Sequence, residues 1–405
     1  MKWKLYILND ILLLFLVLYS FVFGGFLQFF IGVSPTITSF LICGILLGFF
    51  IVKRKHKVNK NNLLFAAIIF VLIIYTFSLS IINNLEIVQP AIYSLFFIIP
   101  FSIYSLFNNR GKYKLYSINQ LKQFLLLLAI LQLPILIFQY YGYGFLMQFN
   151  NSGQLVRDVD FQFGSFFLKN DHALGYFLIA NILYVWTYPV IKNLWQQISI
   201  TIVLVISLLL ANSKVSAYLG VLAFVYLLIK HKKYLLALLS KSKFVIFLII
   251  VLLIGLVVYF EPRFYVVLKG KFNYVDALKW YQLGLARREQ IILIIVFDGI
   301  LYFGNGAYSY FDIIKGDFNK TFKHFSQYIW FYYDLGVVGL SLVLAFFYRM
   351  HKLFEQNKSS FSNFMIFGLI LYSYFTIVTF DVSFVLIYFL YNYSDDEKHS
   401  VHSIS

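Results

Sequence analysis

The residues of this chain that could do chemistry are few. His324 heads the stretch "HFSQYIWFYYDLGVVGLSLVL" (324–344), followed by Asp334 and two spaced glycines, Gly336 and Gly339. A helix that only anchors a chain in lipid needs neither imidazole nor carboxylate, so the pattern marks a polar task at the mouth of an apolar helix. Upstream, "RREQIILIIVFDGILYF" (287–303) opens on the pair Arg287 and Arg288. The guanidinium is a planar fork that bonds phosphate oxygens two at a time, so adjacent arginines suit a phosphate ligand. Lys214 sits in "LLLANSKVSAYLG" (208–220), at the turn between two apolar runs, where an ammonium costs free energy without a partner. "NDHALG" (170–175) sets Asp171 and His172 at the entrance to another apolar run, as a helix cap or as part of a site lining. Each residue also has an ordinary reading: a loop histidine, snorkelling arginines, a loop-tip lysine.

Other patterns are weaker. "DVD" (158–160) has the form some transferases use for a metal, but no metal site is expected. "GNG" (304–306) fits neither the P-loop nor the dinucleotide fingerprint and reads as a glycine stop after a helix. The single cysteine, Cys43, excludes an intrachain disulfide and a cysteine-built metal centre.

Membrane-spanning helices must position these groups. The chain has 405 residues, 61% hydrophobic and 12% charged, against about 25% charged in soluble domains. Apolar runs of about 20 residues recur, each long enough to span a bilayer as a helix. Runs such as "LLLLAILQLPILIF" (125–138) lack the alternation of a β-barrel. The expected fold is all-α: one polytopic membrane domain, 1–405, of about twelve spans. They are placed at 5–23, 33–52, 63–82, 90–107, 121–141, 173–191, 197–211, 214–229, 243–260, 326–348, 361–380 and a short 381–393. "MKWK" and the apolar stretch to Phe23 carry no small-residue cleavage site and read as a retained first span.

The formal charge of +16 invites a nucleic-acid partner, but its distribution argues otherwise. Basic residues collect on alternate connections, among them "KRKHKVNK" (53–60), "NNRGKYK" (108–114) and "KHKK" (230–233). By the positive-inside rule these connections and the N-terminus are cytoplasmic, so the charge is topological and no nucleic acid is expected. Two long connections then face outward, 142–172 and 261–325. The second is the large extracytoplasmic loop. Its apolar stretch near 288–303 is too short to span and carries Asp298, so it reads as an interfacial helix. Trp280, Tyr281, Tyr328 and Trp330 belong to an outer aromatic belt or could stack on sugar rings.

Four stretches together resemble the O-antigen polymerase and ligase family of bacterial envelopes, the Wzy-type polymerases and their ligase relatives. They are "FGSFFLKNDHALGYFL" (163–178), "ANSKVSAYLGVL" (211–222), "RREQIILIIVFDGILYFGNGAYSYF" (287–311) and "HFSQYIWFYYDLGVVGLSLVL" (324–344). Lys214 stands where that family usually has arginine. The resemblance implies a metal-independent, cofactor-free membrane glycosyltransferase with its site on the outer face of the cytoplasmic membrane. The donor is an undecaprenyl-diphosphate-linked glycan. Membrane lipids surround the protein, and a chain-length regulator and a flippase of the same pathway are its protein partners. In that chemistry His324, Arg288 and Arg287 are catalytic, with His324 drawing the proton from an acceptor hydroxyl. Lys214, Asp171, His172 and Tyr328 bind substrate. The product is a polymer of repeat units for O-antigen, capsule or exopolysaccharide. A ligase handing finished glycan to a lipid A core or a protein is the sister reading. A polysaccharide or lipid transporter is the alternative of another class. It would show charged or broken helices at mid-membrane and a repeat between halves, and the sequence carries no repeat.

Overall fold

The computed structural model describes residues 2–35, 44, 60–108, 110, 114–154, 156, 158, 161–168, 170–188, 191, 193–230, 274–283, 288–297, 299–313, 326–354 and 360–393. Among these, every regular element is helical. The main helices are α1 (Lys2–Leu18), α2 (Lys60–Ile82), α3 (Val88–Asn108), α4 (Ile118–Tyr141), α5 (Asp171–Thr187) and α6 (Leu194–Leu210). They continue with α7 (Lys214–Lys230), α8 (Tyr274–Gln282), α9 (Arg288–Phe297), α10 (Gln327–Lys352), α11 (Ser360–Phe375) and α12 (Val382–Asn392). Five helical stretches are long and apolar enough to cross a membrane: Ile7–Ile31, Asn61–Ile82, Val88–Asn108, Ile118–Tyr141 and Gln327–Lys352. The chain is therefore a helical membrane protein. The expected span 243–260 lies outside the described residues, as does 33–52 apart from residues 33–35 and 44.

Local chemistry explains several boundaries. α4 starts on a capping box: Gln120 N–H donates to Ser117 Oγ (3.1 Å) and Ser117 N–H to Gln120 Oε1 (2.8 Å). The first helix departs from expectation. It does not stop near Phe23 but continues through two π-helical turns, Tyr19–Phe23 and Leu27–Ile31, to a left-handed cap at Gly32. Gly24 and Gly25 lie within this continuation. A Cβ on Gly25 would lie 2.0 Å from the Phe166 carbonyl oxygen, so these glycines admit another segment against the helix.

The helix ends sort into two sets. At one end Asn170 Nδ2 donates to Asp381 Oδ2 (2.8 Å), His172 Nδ1 meets Ser213 Oγ (2.7 Å), and Asn151 Nδ2 reaches the Phe30 carbonyl (2.7 Å). At the other, Arg110 Nε pairs with Asp10 Oδ1 at 2.9 Å, and His351 lies 3.1 Å from Asn363 Oδ1. α12 is short because lipid is not its surroundings. All eleven of its residues are buried, among α3, α4, α5 and α11. Asp381 caps its N-terminus through Ser383 N–H (2.8 Å). Buried Lys122 donates to the Tyr391 and Tyr393 carbonyls at its C-terminus (3.3 and 3.0 Å), so both ends complement the helix dipole.

Candidate functional site

α10 does not run unbroken past its two glycines. Gly336 adopts φ 70°, ψ −172°, a backbone region open essentially to glycine alone. The break frees backbone groups deep in the bundle, where each must find a partner. Segment 299–310 supplies most of them. Val337 N–H donates to the Leu301 carbonyl (2.8 Å) and Val338 N–H to that of Tyr302 (3.3 Å). In return Asn305 N–H donates to the Tyr333 carbonyl (3.1 Å) and Gly306 N–H to that of Asp334 (2.9 Å). The Leu335 carbonyl accepts from Tyr75 Oη on α2 (2.9 Å).

Asp334 answers for itself here. Its carboxylate is fully buried and accepts from Tyr308 N–H at Oδ2 and Tyr310 N–H at Oδ1, both at 2.8 Å. It thus caps the inserted segment, whose Tyr308 has a positive φ of 65°. Burial, and next the neighbouring Asp334, raise the Tyr308 phenol above its ordinary value. "GNG" is not the stop of α9, which ends at Phe297. Its glycines let the chain approach α10: a Cβ on Gly304 would lie 2.1 Å from the Asp334 carbonyl oxygen.

The second polar assembly lies at the end where α5, α7, α10 and α12 begin. Asp171 and His172 open α5, and Lys214 opens α7 with its side chain exposed. His172 Nδ1 is 2.7 Å from Ser213 Oγ and 3.4 Å from Asp171 Oδ2. Behind Ser213 the bonds continue inward. Ser216 Oγ donates to Ser213 Oγ (2.7 Å), and Tyr372 Oη of α11 donates to Ser216 Oγ (2.7 Å). Gly175 makes room for this, since a Cβ there would lie 1.9 Å from Ser216 Oγ. The head of α10 is tied to the same end. Gln327 Oε1 accepts from Val378 N–H (2.6 Å) and Thr379 N–H (3.2 Å), and Tyr328 Oη donates to the Ile370 carbonyl (3.0 Å).

Of the residues singled out by sequence, Asp171, His172, Lys214 and Tyr328 share this end of the bundle. Tyr328 is half-buried and its hydroxyl serves to join α10 to α11. Trp330 belongs neither to an aromatic belt nor to a sugar platform. It is 2% exposed, against Tyr93, Phe96 and Phe311. His324, Arg287 and Asp298, and the side chains of Arg288 and Trp280, lie outside the described residues. Among the described residues no cluster of three His, Cys, Asp or Glu side chains could hold a metal ion. Sequence reading missed Ser213, Ser216 and Tyr372. The available signal was polar side chains inside apolar helices, with Ser213 and Ser216 spaced to meet across one turn.

No protein-family model, curated protein or solved structure matches this chain.

Proposed function

We propose that this protein is a metal-independent glycosyltransferase that polymerises undecaprenyl-diphosphate-linked oligosaccharide repeats at the outer face of the cytoplasmic membrane, with about twelve spans. The observation that carries this reading is one shared end of the bundle. It gathers Asp171, His172 and Lys214 from two helix heads beside Gln327 and Tyr328, which closely follow His324 in sequence. The reaction forms one glycosidic C–O bond and breaks the anomeric C–O bond to the diphosphate. The acceptor hydroxyl gives its proton to His324, and the lipid diphosphate leaves as an anion. Arg287, Arg288 and Lys214 supply cations for that leaving group.

The test is a cell lacking its own copy, complemented with His324→Ala or His324→Gln and probed for surface polysaccharide. Loss of a general base should cost on the order of 10²–10⁴ in rate, with normal amounts of protein in the membrane. Normal chain lengths from a well-expressed His324→Ala variant would overturn the catalytic role.

One observation favours a second reading, a transporter of lipid-linked glycan: the broken α10 with buried Asp334 beside the break. The two readings separate on the null strain. A missing polymerase leaves single lipid-linked repeats at the outer face, whereas a missing transporter leaves them at the cytoplasmic face.

A further inference from the structure

We infer that the chain Tyr372–Ser216–Ser213 holds His172 as the Nε2–H tautomer, so that a neutral imidazole N–H is offered to the diphosphate of the lipid-linked donor. The diphosphate part rests on the proposed function; the tautomer does not.

The donors settle the direction. Tyr372 spends its only hydroxyl proton on Ser216, and Ser216 spends its own on Ser213. Ser213 Oγ accepts there and also from Ser216 N–H (3.4 Å), which occupies both lone pairs. Its remaining proton points at His172 Nδ1, 2.7 Å away. A neutral His172 that accepts at Nδ1 carries its proton on Nε2. The carboxylate of Asp171, 3.4 Å from the same Nδ1, favours the opposite tautomer. The shorter contact is to the serine, so the relay decides the contest.

Exposure gives this a purpose. Tyr372 and Ser216 are 0% exposed and Ser213 3%, whereas the His172 side chain is 23% exposed. The chain therefore runs from the core to one open imidazole whose Nδ1 is engaged. Gly175 provides the space for it, which an ordinary side chain would fill. Among the described residues, the titratable groups at this end include Asp171, Lys214 at the head of α7, Tyr328 at the head of α10, Tyr372 on α11, and Asp381, which is bonded to Asn170. Lys214 contributes a cation. His172 contributes a directed hydrogen bond from Nε2–H. No proton transfer from His172 is required. Ser213, Ser216 and Tyr372 are positioning residues.

The test uses the full-length protein in lipid nanodiscs. Nitrogen-15 NMR of labelled histidine, with His172 assigned by its loss in His172→Gln, should show Nδ1 bare and Nε2 protonated. In Ser213→Ala, Asp171 is left as the partner of Nδ1, and the proton should move there. Affinity for a short-chain polyprenyl diphosphate is then measured on the same samples. Ser213→Ala should bind about 10- to 100-fold more weakly than wild type, as for one lost hydrogen bond to a charged group. Ser213→Thr restores the hydroxyl and should restore both the tautomer and the affinity. Should Ser213→Ala fail to fold, Tyr372→Phe removes the far end of the relay and should give a smaller deficit in the same direction.

A wild-type His172 protonated at Nδ1 overturns the inference. So does the expected tautomer with Ser213→Ala binding as tightly as wild type, which would leave the glycosyltransferase reading standing. A wild-type protein with the expected tautomer and no affinity for polyprenyl diphosphate overturns the donor-binding role together with the proposed function.

Discussion

Segments 161–168 and 299–310 both bring irregular backbone into the helical bundle, and they are held by different chemistry. The first is clipped by neutral amides. Gln139 takes both the N–H and the carbonyl of Gly164, each at 2.8 Å, and Gln132 takes the N–H and hydroxyl of Ser165, each at 2.9 Å. Gln28 adds Leu168 N–H (2.8 Å). The second is clipped by the carboxylate of Asp334 and by the backbone freed where α10 breaks. α4 is intact there and has no spare backbone groups, so it must use side chains, while the first helix also lends the Phe21 carbonyl of its first π-helical turn to Ser165 Oγ. A helix broken at glycine offers its own amides and carbonyls. The amide-clipped segment therefore leaves α4 continuous, while the carboxylate-clipped segment is built into the helix that receives it.

If that difference is real, Asp334→Ala should be the most damaging single change. It strands the Tyr308 and Tyr310 N–H groups where no water reaches. Two unpaired buried donors and a lost charge-assisted acceptor cost about 3–5 kcal/mol, measured by denaturant unfolding in mixed micelles. Asp334→Asn keeps one acceptor oxygen and should lose roughly half as much. Equal losses for both variants would show that shape, not acceptor count, holds the segment.

Gly336→Ala comes next. A Cβ there would sit 2.5 Å from the Tyr302 carbonyl oxygen, in a backbone region closed to alanine. The backbone strain alone costs about 1–3 kcal/mol, and the clash adds to it. Gly339→Ala on the same helix separates clash from strain: its φ is ordinary, but a Cβ there would lie 2.2 Å from Leu335 Cβ, so it should carry the clash without the cost of the special backbone region. On the other segment, Gln139→Leu leaves both polar groups of Gly164 unpaired and should cost about 2 kcal/mol without disturbing α4.

The two segments also show what was legible in the sequence. Helix positions were, because runs of apolar residues and basic connections report them directly. The expected 90–107, 121–141 and 326–348 differ from the helices found by a few residues at each end. The inserted segments were not legible. Glycine served three roles under one letter. Gly24 and Gly25 admit a neighbouring chain, Gly304 and Gly306 looked like a stop but approach α10, and Gly336 breaks the helix. Which role applies depends on a partner distant in sequence. Gln132 and Gln139 likewise read as polar interruptions of a span until the segment they bind is in view. At the candidate site, Asp171, His172 and Lys214 were visible as polar groups at apolar borders. The hydroxyls behind them were not, since serine and tyrosine inside apolar helices more often satisfy local carbonyls, as Ser207 and Ser373 do here.

The smallest effect comes from the partner furthest from both clips. Tyr75 donates to the Leu335 carbonyl across the break, but its side chain is half-buried and comes from α2 rather than from the inserted segment. Tyr75→Phe keeps the ring that packs beside Gly339 and removes only the hydroxyl. One neutral hydrogen bond is worth about 1 kcal/mol, so the unfolding midpoint should fall slightly. The more telling readout is local. Leu335 precedes the non-helical residue, and its carbonyl loses the hydroxyl that reaches it from α2. Backbone amide exchange at Val337 and Val338, which face Leu301 and Tyr302, should then rise while exchange at Gly164 and Ser165 stays as in wild type. Faster exchange in both segments would mean that they open together, and the contrast between a built-in and a clipped segment would fail.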